Sequence, residues 1–172
     1  MPDQLSKTQQ SINTFGETYQ YDVTYMHKLY DVSPQGYRLF ENVLPMAAYH
    51  HKLPTDAYYV AKIETIRDED CGPCLQLSID MAQEAGISAD LLRVALDPDT
   101  PMDEPLEDIR QFTRAVVRNK PQDKAVAKRV RKRYGEEGLA ELALCIASCR
   151  IFPTIKRAMG YDKSCSLVKV RV

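Results

Sequence analysis

The fold follows from one stretch of the chain, residues 70–86, which reads DCGPCLQLSIDMAQEAG. Cys71 and Cys74 stand three positions apart at its start, and the proline between them suits the first turn of a helix. Asp70 occupies the position of a helix-capping residue, and Gly86 suits the left-handed conformation that ends many helices. Apolar residues recur between these ends at helical spacing, namely Cys74, Leu77, Met81, Ala82 and Ala85. The stretch therefore predicts an amphipathic helix with two thiols in its first turn.

The flanking segments show the same helical spacing, with proline, glycine or capping residues at their ends. The sequence contains neither a βαβ pattern nor a tandem repeat. We therefore expect an all-α fold, a helical bundle in a single domain. The other expected helices lie at residues 21–30, 34–45, 55–66, 88–96, 105–117, 122–134 and 138–152.

The two ends of the chain differ from this pattern. Residues 1–20 are rich in Gln, Ser and Thr and are expected to form a flexible N-terminal arm. Residues 21–172 are expected to form the helical domain, with its core motif at 55–90. Pro153 is expected to end or kink the last helix, and the tail 166–172 alternates like a strand that has no partner.

Composition narrows the class of protein. Of the 172 residues 44% are hydrophobic and 27% are charged, and the net charge of -1 gives no general attraction to nucleic acid or an anionic membrane. No apolar run is expected to span a bilayer, and the polar N-terminus lacks the apolar core of a signal peptide. We therefore expect a cytoplasmic protein in a reducing environment, without nucleic-acid or membrane partners.

A basic segment at residues 124–133 is the main local concentration of charge. No aromatic residues interleave with it to stack on bases. Acidic residues that could neutralise it lie nearby: Asp103, Glu104, Glu107, Asp108 and Asp123. We interpret the segment as a solvated helix face.

The chain has five cysteines, and an odd number in a reducing compartment argues against a disulfide framework. Cys71 and Cys74 have a spacing that brings two sulfurs within reach across one helical turn. The helix dipole and free N–H groups there stabilise a thiolate and lower the pKa of the more N-terminal thiol. A thiolate attacks a peroxide or a disulfide, and a second thiol resolves the sulfenic acid. The pair suits two-electron thiol chemistry, and no cofactor is expected.

Two other interpretations of the cysteines are weighed against this one. Thioredoxins use the same CGPC tetrapeptide after a buried strand, usually beside Trp, whereas here it follows the charged segment 63–70 and the chain has no Trp. A zinc site at Cys71 and Cys74 would need two more ligands, which Cys145 and Cys149 could supply. No spacing brings the two pairs together, so the sequence favours core positions for Cys145 and Cys149 and predicts no metal site.

A helix, a polar link, C-x-x-C and a helix ending in Ala-Gly occur in that order over residues 61–74 and 81–88. This arrangement resembles the alkylhydroperoxidase-D-like (AhpD-like) branch of the carboxymuconolactone-decarboxylase family. Residues 138–144 resemble the family's closing helix. The resemblance covers about residues 55–160, most strongly 57–90. It implies an all-helical subunit with its cysteines at the start of a core helix, and a homo-oligomer such as a trimer or hexamer.

The family's peroxidase signature adds a Glu and a His to the cysteine pair as a proton relay. Laid on this chain, the Glu position holds Tyr59 and the His position holds Ser78, so both relay groups are missing. In the family the second cysteine attacks the peroxide, which implies Cys74, whereas the helix-terminus argument favours Cys71. Both alternatives stay open.

Other polar residues near the motif are weaker candidates. Glu64 and Glu69 are interpreted as solvated helix surface, and His50 and His51 as surface or loop residues. Ser78, one turn past the second cysteine, can hydrogen-bond a sulfur but cannot act as a base near neutral pH.

The expected function is that of a thiol-dependent oxidoreductase with catalytic residues Cys71 and Cys74. Its substrate would be a small hydroperoxide or a disulfide, and a reducing protein or thiol would restore the dithiol. One alternative is a catalytically degenerate relative that binds a small ligand or acts as a scaffold. A second is decarboxylase-like activity on a small lactone acid, which no residue specifically supports.

Overall fold

The structure is a computed structural model that describes residues 6–161 and 169–170, and these parts of the chain are helical without any strand. This confirms the prediction of a single-domain all-α fold. The strand-like tail, 166–172, lies almost entirely outside the described residues. The helices are α1 (Lys7–Tyr19), α2 (Thr24–Val32), α3 (Pro34–Glu41), α4 (Val43–Met46), α5 (Thr55–Asp68), α6 (Gly72–Glu84), α7 (Ala89–Leu96), α8 (Glu104–Val117) and α9 (Lys124–Ala158).

Helix α5 runs through the centre of the fold. Every residue from Ala57 to Ile66 is buried, and α5 packs against α6, α8 and α9. A helix buried on all sides also buries its polar residues, and each of these needs a partner. Glu64 is 2% exposed and pairs with Arg67 and with Arg114, whose Nε lies 2.7 Å away. The interpretation of Glu64 as solvated surface is therefore wrong, because all sides of α5 are covered.

Glu69, the C-terminal cap position of α5, is likewise not on a solvated surface. Its side chain is 9% exposed. Its carboxylate accepts hydrogen bonds from Arg150 Nε at 2.8 Å and from Arg157 Nη2 at 2.5 Å. Both arginines belong to α9, so this ion pair network ties the end of α5 to the last helix.

The basic segment behaves as predicted where it faces α8. Arg129 Nε donates to Asp108 Oδ2 at 2.8 Å and lies 3.4 Å from Glu104 Oε1. Val126 and Val130 on the same helix are buried. The segment is therefore an amphipathic helix whose charged side is neutralised by the preceding helix.

Helix α9 has non-helical backbone angles at Gly135 and continues through Pro153. Gly135 has φ 69° and ψ -175°, a conformation open to glycine because it has no Cβ. Pro153 was expected to end or kink the helix, but α9 continues through it to Ala158. Pro153 and the adjacent turn residue Lys156 are both buried, so tertiary packing outweighs the backbone hydrogen bond that proline removes.

By length and composition alone, α9 could cross a membrane, contrary to the expectation that no apolar run is long enough. Here it packs as a core helix against α5 and α8, and 44% of its most apolar 18-residue segment is buried within the fold. Core helices of soluble proteins meet the same criteria, so this property assigns no membrane location.

The N-terminal arm is structured from residue 6 onward. Ser6 and Gln9 form a reciprocal capping box that begins α1. Ile12 is 1% exposed and belongs to a second apolar cluster built largely of aromatic rings from α1 to α3. Where the sequence predicted a flexible arm, the structure has a helix over Lys7–Tyr19, because a few apolar residues at helical spacing can pack against α2 and α3.

Candidate redox site

Cys71 and Cys74 are joined by a disulfide bond, with their Cα atoms 5.2 Å apart. Cys71 is the N-cap residue of α6, and Gly72 and Pro73 are the first two helical residues. Asp70 was expected to cap the helix, but it adopts φ 52° in the tight turn after α5, so the cap falls one residue later. The predicted geometry of two bridgeable sulfurs at the start of one helix is confirmed.

The two sulfurs have different surroundings. Cys71 is half-buried, whereas Cys74 is 5% exposed and lines a cavity. The cavity has a volume of about 230 Å³ and lies between the N-terminal helices and the helices α5, α6 and α9. Most of its lining is apolar, including Phe15, Tyr25, Phe40 and Phe152. A small molecule in the cavity would therefore contact Cys74, and Cys71 is the more exposed of the two residues.

A buried polar pair lies next to Cys74. The hydroxyl oxygen of Tyr21 is 3.8 Å from the Sγ atom of Cys74, and Lys156 Nζ donates to that hydroxyl at 3.3 Å. Lys156 also lies over the rings of Tyr21 and Tyr25, at 4.8 and 5.4 Å from their centroids. Tyr21 and Lys156 are 8% and 4% exposed. The Tyr21 hydroxyl therefore lies between the Lys156 ammonium group and the Cys74 sulfur.

The protonation of Tyr21 decides what this pair can do. Burial raises the pKa of Tyr21 to about 12, although a hydrogen bond with Tyr25 opposes the rise. Tyr21 is therefore a neutral donor near neutral pH and not a base. It can donate a hydrogen bond to a Cys74 thiolate, and Lys156 strengthens that donor.

Sequence reasoning missed Tyr21 and Lys156. Tyr21 lies between α1 and α2, and Lys156 lies near the end of α9, 135 residues later. Their spacing carries no motif, so only the packing of the N-terminal helices on α9 brings them together. A lysine in the apolar stretch around Pro153 was the one local signal of a buried charge.

The two relay positions hold groups that cannot serve as bases. Ser78 is buried beside Cys74 in the cavity wall, and its hydroxyl donates to the Cys74 carbonyl at 3.0 Å. Burial raises the pKa of Tyr59, and its ring packs edge-on against Tyr58, with centroids 5.2 Å apart. Neither Ser78 nor Tyr59 therefore offers a base at these two positions.

The histidines before α5 are loop residues, as expected. His50 is half-buried and its ring stacks on Tyr58 at 4.1 Å, while His51 is exposed and lies beside Tyr49. Neither lines the cavity beside Cys74.

The second cysteine pair lies in the middle of α9. Cys145 and Cys149 are free thiols, 0% and 1% exposed, which confirms their predicted core positions. A hydrogen bond with Cys149, together with burial, raises the pKa of the Cys145 thiol. Over residues 6–161 and 169–170, no group of three or more His, Cys, Asp or Glu side chains is placed to hold a metal ion.

Comparison of the chain with family models, curated proteins and solved structures gave no match. The resemblance to the AhpD-like branch therefore rests on the sequence pattern of about residues 55–160 alone, most strongly 57–90, and the chemistry must be argued from the geometry around Cys74.

Proposed function

We propose that this protein is a thiol-dependent oxidoreductase that reduces a small hydroperoxide, with Cys74 as the attacking thiol and Cys71 as the resolving thiol. The observation that carries the proposal is the Tyr21 and Lys156 pair beside Cys74, which is the member of the disulfide-bonded pair that lines the cavity. It favours Cys74 over Cys71, because a donor backed by a buried ammonium stabilises a thiolate more than the end of a helix does.

The first half of the cycle oxidises Cys74. Its thiolate attacks the terminal oxygen of the hydroperoxide, a sulfur–oxygen bond forms, and the oxygen–oxygen bond breaks. Cys74 becomes a sulfenic acid. The alkoxide that leaves takes a proton from the Tyr21 hydroxyl, and Lys156 then donates a proton to the Tyr21 oxygen. An alkoxide is a stronger base than a phenolate, so this proton transfer is favourable.

The second half restores the dithiol. The Cys71 thiol attacks the sulfenic sulfur, a disulfide forms and water leaves. An external dithiol, or two thiol molecules, then reduces the disulfide by attack on the more exposed Cys71. Cys74 is the leaving group in that step, and stabilisation of its thiolate by Tyr21 speeds the exchange. A reducing compartment such as the cytoplasm would supply the thiols.

The test is a titration of the reduced protein with cumene hydroperoxide. We expect two thiols to be lost for each equivalent of hydroperoxide, with formation of one Cys71–Cys74 disulfide and cumyl alcohol. The Cys145→Ala variant should give the same stoichiometry, because Cys145 lies outside the site. A reduced, folded protein whose thiols do not react would contradict the proposal and favour the ligand-binding or scaffold alternative.

A further inference from the structure

Lys62 places a second buried positive charge in the cavity wall. The residue is 9% exposed and lines the same cavity as Cys74. Its Nζ donates to the Ala47 carbonyl and to the Tyr58 hydroxyl, both at 3.2 Å. The proposed thiol cycle does not use this residue.

The charge of Lys62 has no carboxylate partner in the described parts of the chain. The groups around its Nζ are neutral oxygens, the rings of Tyr58 and Tyr59 at 5.2 and 5.8 Å, and the Cys145 and Cys149 thiols. Buried ammonium groups normally pair with an anion, because burial without one is unfavourable. Lys62 also has a third N–H donor beyond the two hydrogen bonds described.

The position of Lys62 suits a ligand that enters from outside. Ala47, which accepts its hydrogen bond, is followed by the exposed Ala48, and Ala48 and the exposed Leu44 both line the cavity. Lys62 is therefore near the rim. The remaining wall is apolar, and a volume of about 230 Å³ would hold roughly eight waters at liquid density. This limits the occupant to a small molecule.

We infer that the cavity binds a small apolar carboxylate, whose anionic group pairs with Lys62 and whose alkyl chain extends towards Cys74. If the proposed function holds, the substrate is a hydroperoxide of such an acid, and this part of the inference rests on that function. The binding site itself does not depend on thiol chemistry.

The binding test uses the disulfide form of the protein, in which Cys74 has no free thiol, so that binding is measured apart from thiol chemistry. Isothermal titration calorimetry with octanoate and with 1-octanol compares an anion and a neutral molecule of similar size. We expect octanoate to bind at least about tenfold more tightly, which corresponds to roughly 1.4 kcal/mol. Lys62→Met should remove this preference, and binding of 1-octanol by the variant shows that its cavity is intact.

Lys128→Met is the matched control, because Lys128 is an exposed helical lysine and its loss should leave both affinities unchanged. Equal affinity of the natural protein for the two ligands, or no binding of either, would overturn the inference. An unchanged octanoate affinity in folded Lys62→Met would do the same. If Lys62→Met does not fold, the comparison of the two ligands in the natural protein still decides.

A competition experiment separates this inference from the proposed function. Octanoate should slow the oxidation of the reduced protein by cumene hydroperoxide, and Lys62→Met should need at least about tenfold more octanoate for the same effect. Octanoate binding without competition would overturn the substrate assignment. Binding to a protein whose thiols do not react would overturn the proposed function and retain the carboxylate site.

Discussion

The two cysteine pairs of this protein have similar spacing and different positions on their helices. Cys71 and Cys74 begin helix α6, where one sulfur is half-buried at the surface side and the other lines a cavity. Cys145 and Cys149 lie one turn apart in the middle of α9, and both are fully buried as free thiols. The first pair is joined by a disulfide bond, whereas the second remains reduced in the same structure.

The difference teaches that position on a helix decides what a thiol pair can do. At a helix N-terminus the N–H groups are free and the backbone can bring two sulfurs together. In a helix interior the N–H groups are bonded within the helix, and the surrounding core restrains the side chains. At Cys74 the Tyr21 hydroxyl, which accepts a hydrogen bond from Lys156, adds a donor backed by a positive charge.

The largest expected effect concerns which thiol attacks. We expect the reduced Cys71→Ser protein to form a sulfenic acid with hydroperoxide and to be labelled by a sulfenic-acid probe, because the attacking Cys74 remains. The reduced Cys74→Ser protein should show no label, since its remaining thiol at the site is the resolving one. Mass spectrometry of the labelled peptides is the measurement. Label at Cys71 in Cys74→Ser and none in Cys71→Ser would reverse the assignment.

The next effect concerns the residues that act on Cys74. Tyr21→Phe and Lys156→Met should each slow oxidation of the reduced protein by roughly 10–100-fold at neutral pH, because loss of the donor or its charge raises the pKa of the Cys74 thiol. Stopped-flow rates as a function of pH are the measurement. The rate should rise towards that of the natural protein as pH increases and the thiolate forms without help.

Tyr37→Phe is the matched control for these variants. Tyr37 is buried in the same aromatic cluster and packs against Tyr30 and Phe40, but it does not line the cavity beside Cys74. The oxidation rate of the Tyr37→Phe protein and the pH dependence of that rate should stay unchanged. A Lys156→Met protein with a slower rate but an unshifted pH profile would show that Lys156 only supports the fold.

A smaller effect is expected from a change in the buried pair Cys145 and Cys149, and it concerns the free energy of unfolding, not the rate of thiol oxidation. Cys145→Ala should lower the free energy of unfolding by about 1–2 kcal/mol, because it removes a packed sulfur and leaves a small cavity. Chemical denaturation of the reduced protein measures this. The rate of Cys74 oxidation should not change, and a large loss of rate in the folded variant would contradict the separate roles of the two pairs.

The smallest effect tests the face of α9 that carries Cys145. Glu141, four residues earlier, accepts backbone hydrogen bonds from Lys52 at 2.9 Å and Leu53 at 2.8 Å. Burial alone would raise the pKa of Glu141, but these N–H donors and that of His51 lower it below its usual value. Glu141→Gln should therefore lower the free energy of unfolding by about 1 kcal/mol near neutral pH.

The pH dependence of that effect has a definite sign. A carboxyl group with a lowered pKa stabilises the fold above the pKa of the unfolded chain, about 4.3, and this contribution is lost as pH falls through the folded-state pKa. The difference between the natural protein and Glu141→Gln should thus shrink in acid. Glu137→Gln is the control, because Glu137 is exposed and its pair with Lys52 is solvated. A pH-independent difference would contradict the account.

Local sequence determined the helices and their ends. Ser33 accepts a hydrogen bond from Gly36 N at 3.1 Å ahead of Pro34, as a capping residue before a first-turn proline should. Gly86 has φ 86° after α6, and Gly135 has φ 69° inside α9. These features depend on the backbone preferences of a few adjacent residues, so they could be predicted without knowledge of the fold. The cysteine pair at the start of α6 belongs to the same class.

Only the tertiary structure decided what surrounds Cys74. Contacts between residues far apart in the chain bury Glu64 and bring Tyr21 next to Lys156. The packing of α1 in the fold depends on the same kind of contact. A polar residue has the same local pattern whether water or a distant partner satisfies it. The free energy that selects between the two comes from packing of whole helices, which buries apolar surface and forces each enclosed charge to find a partner.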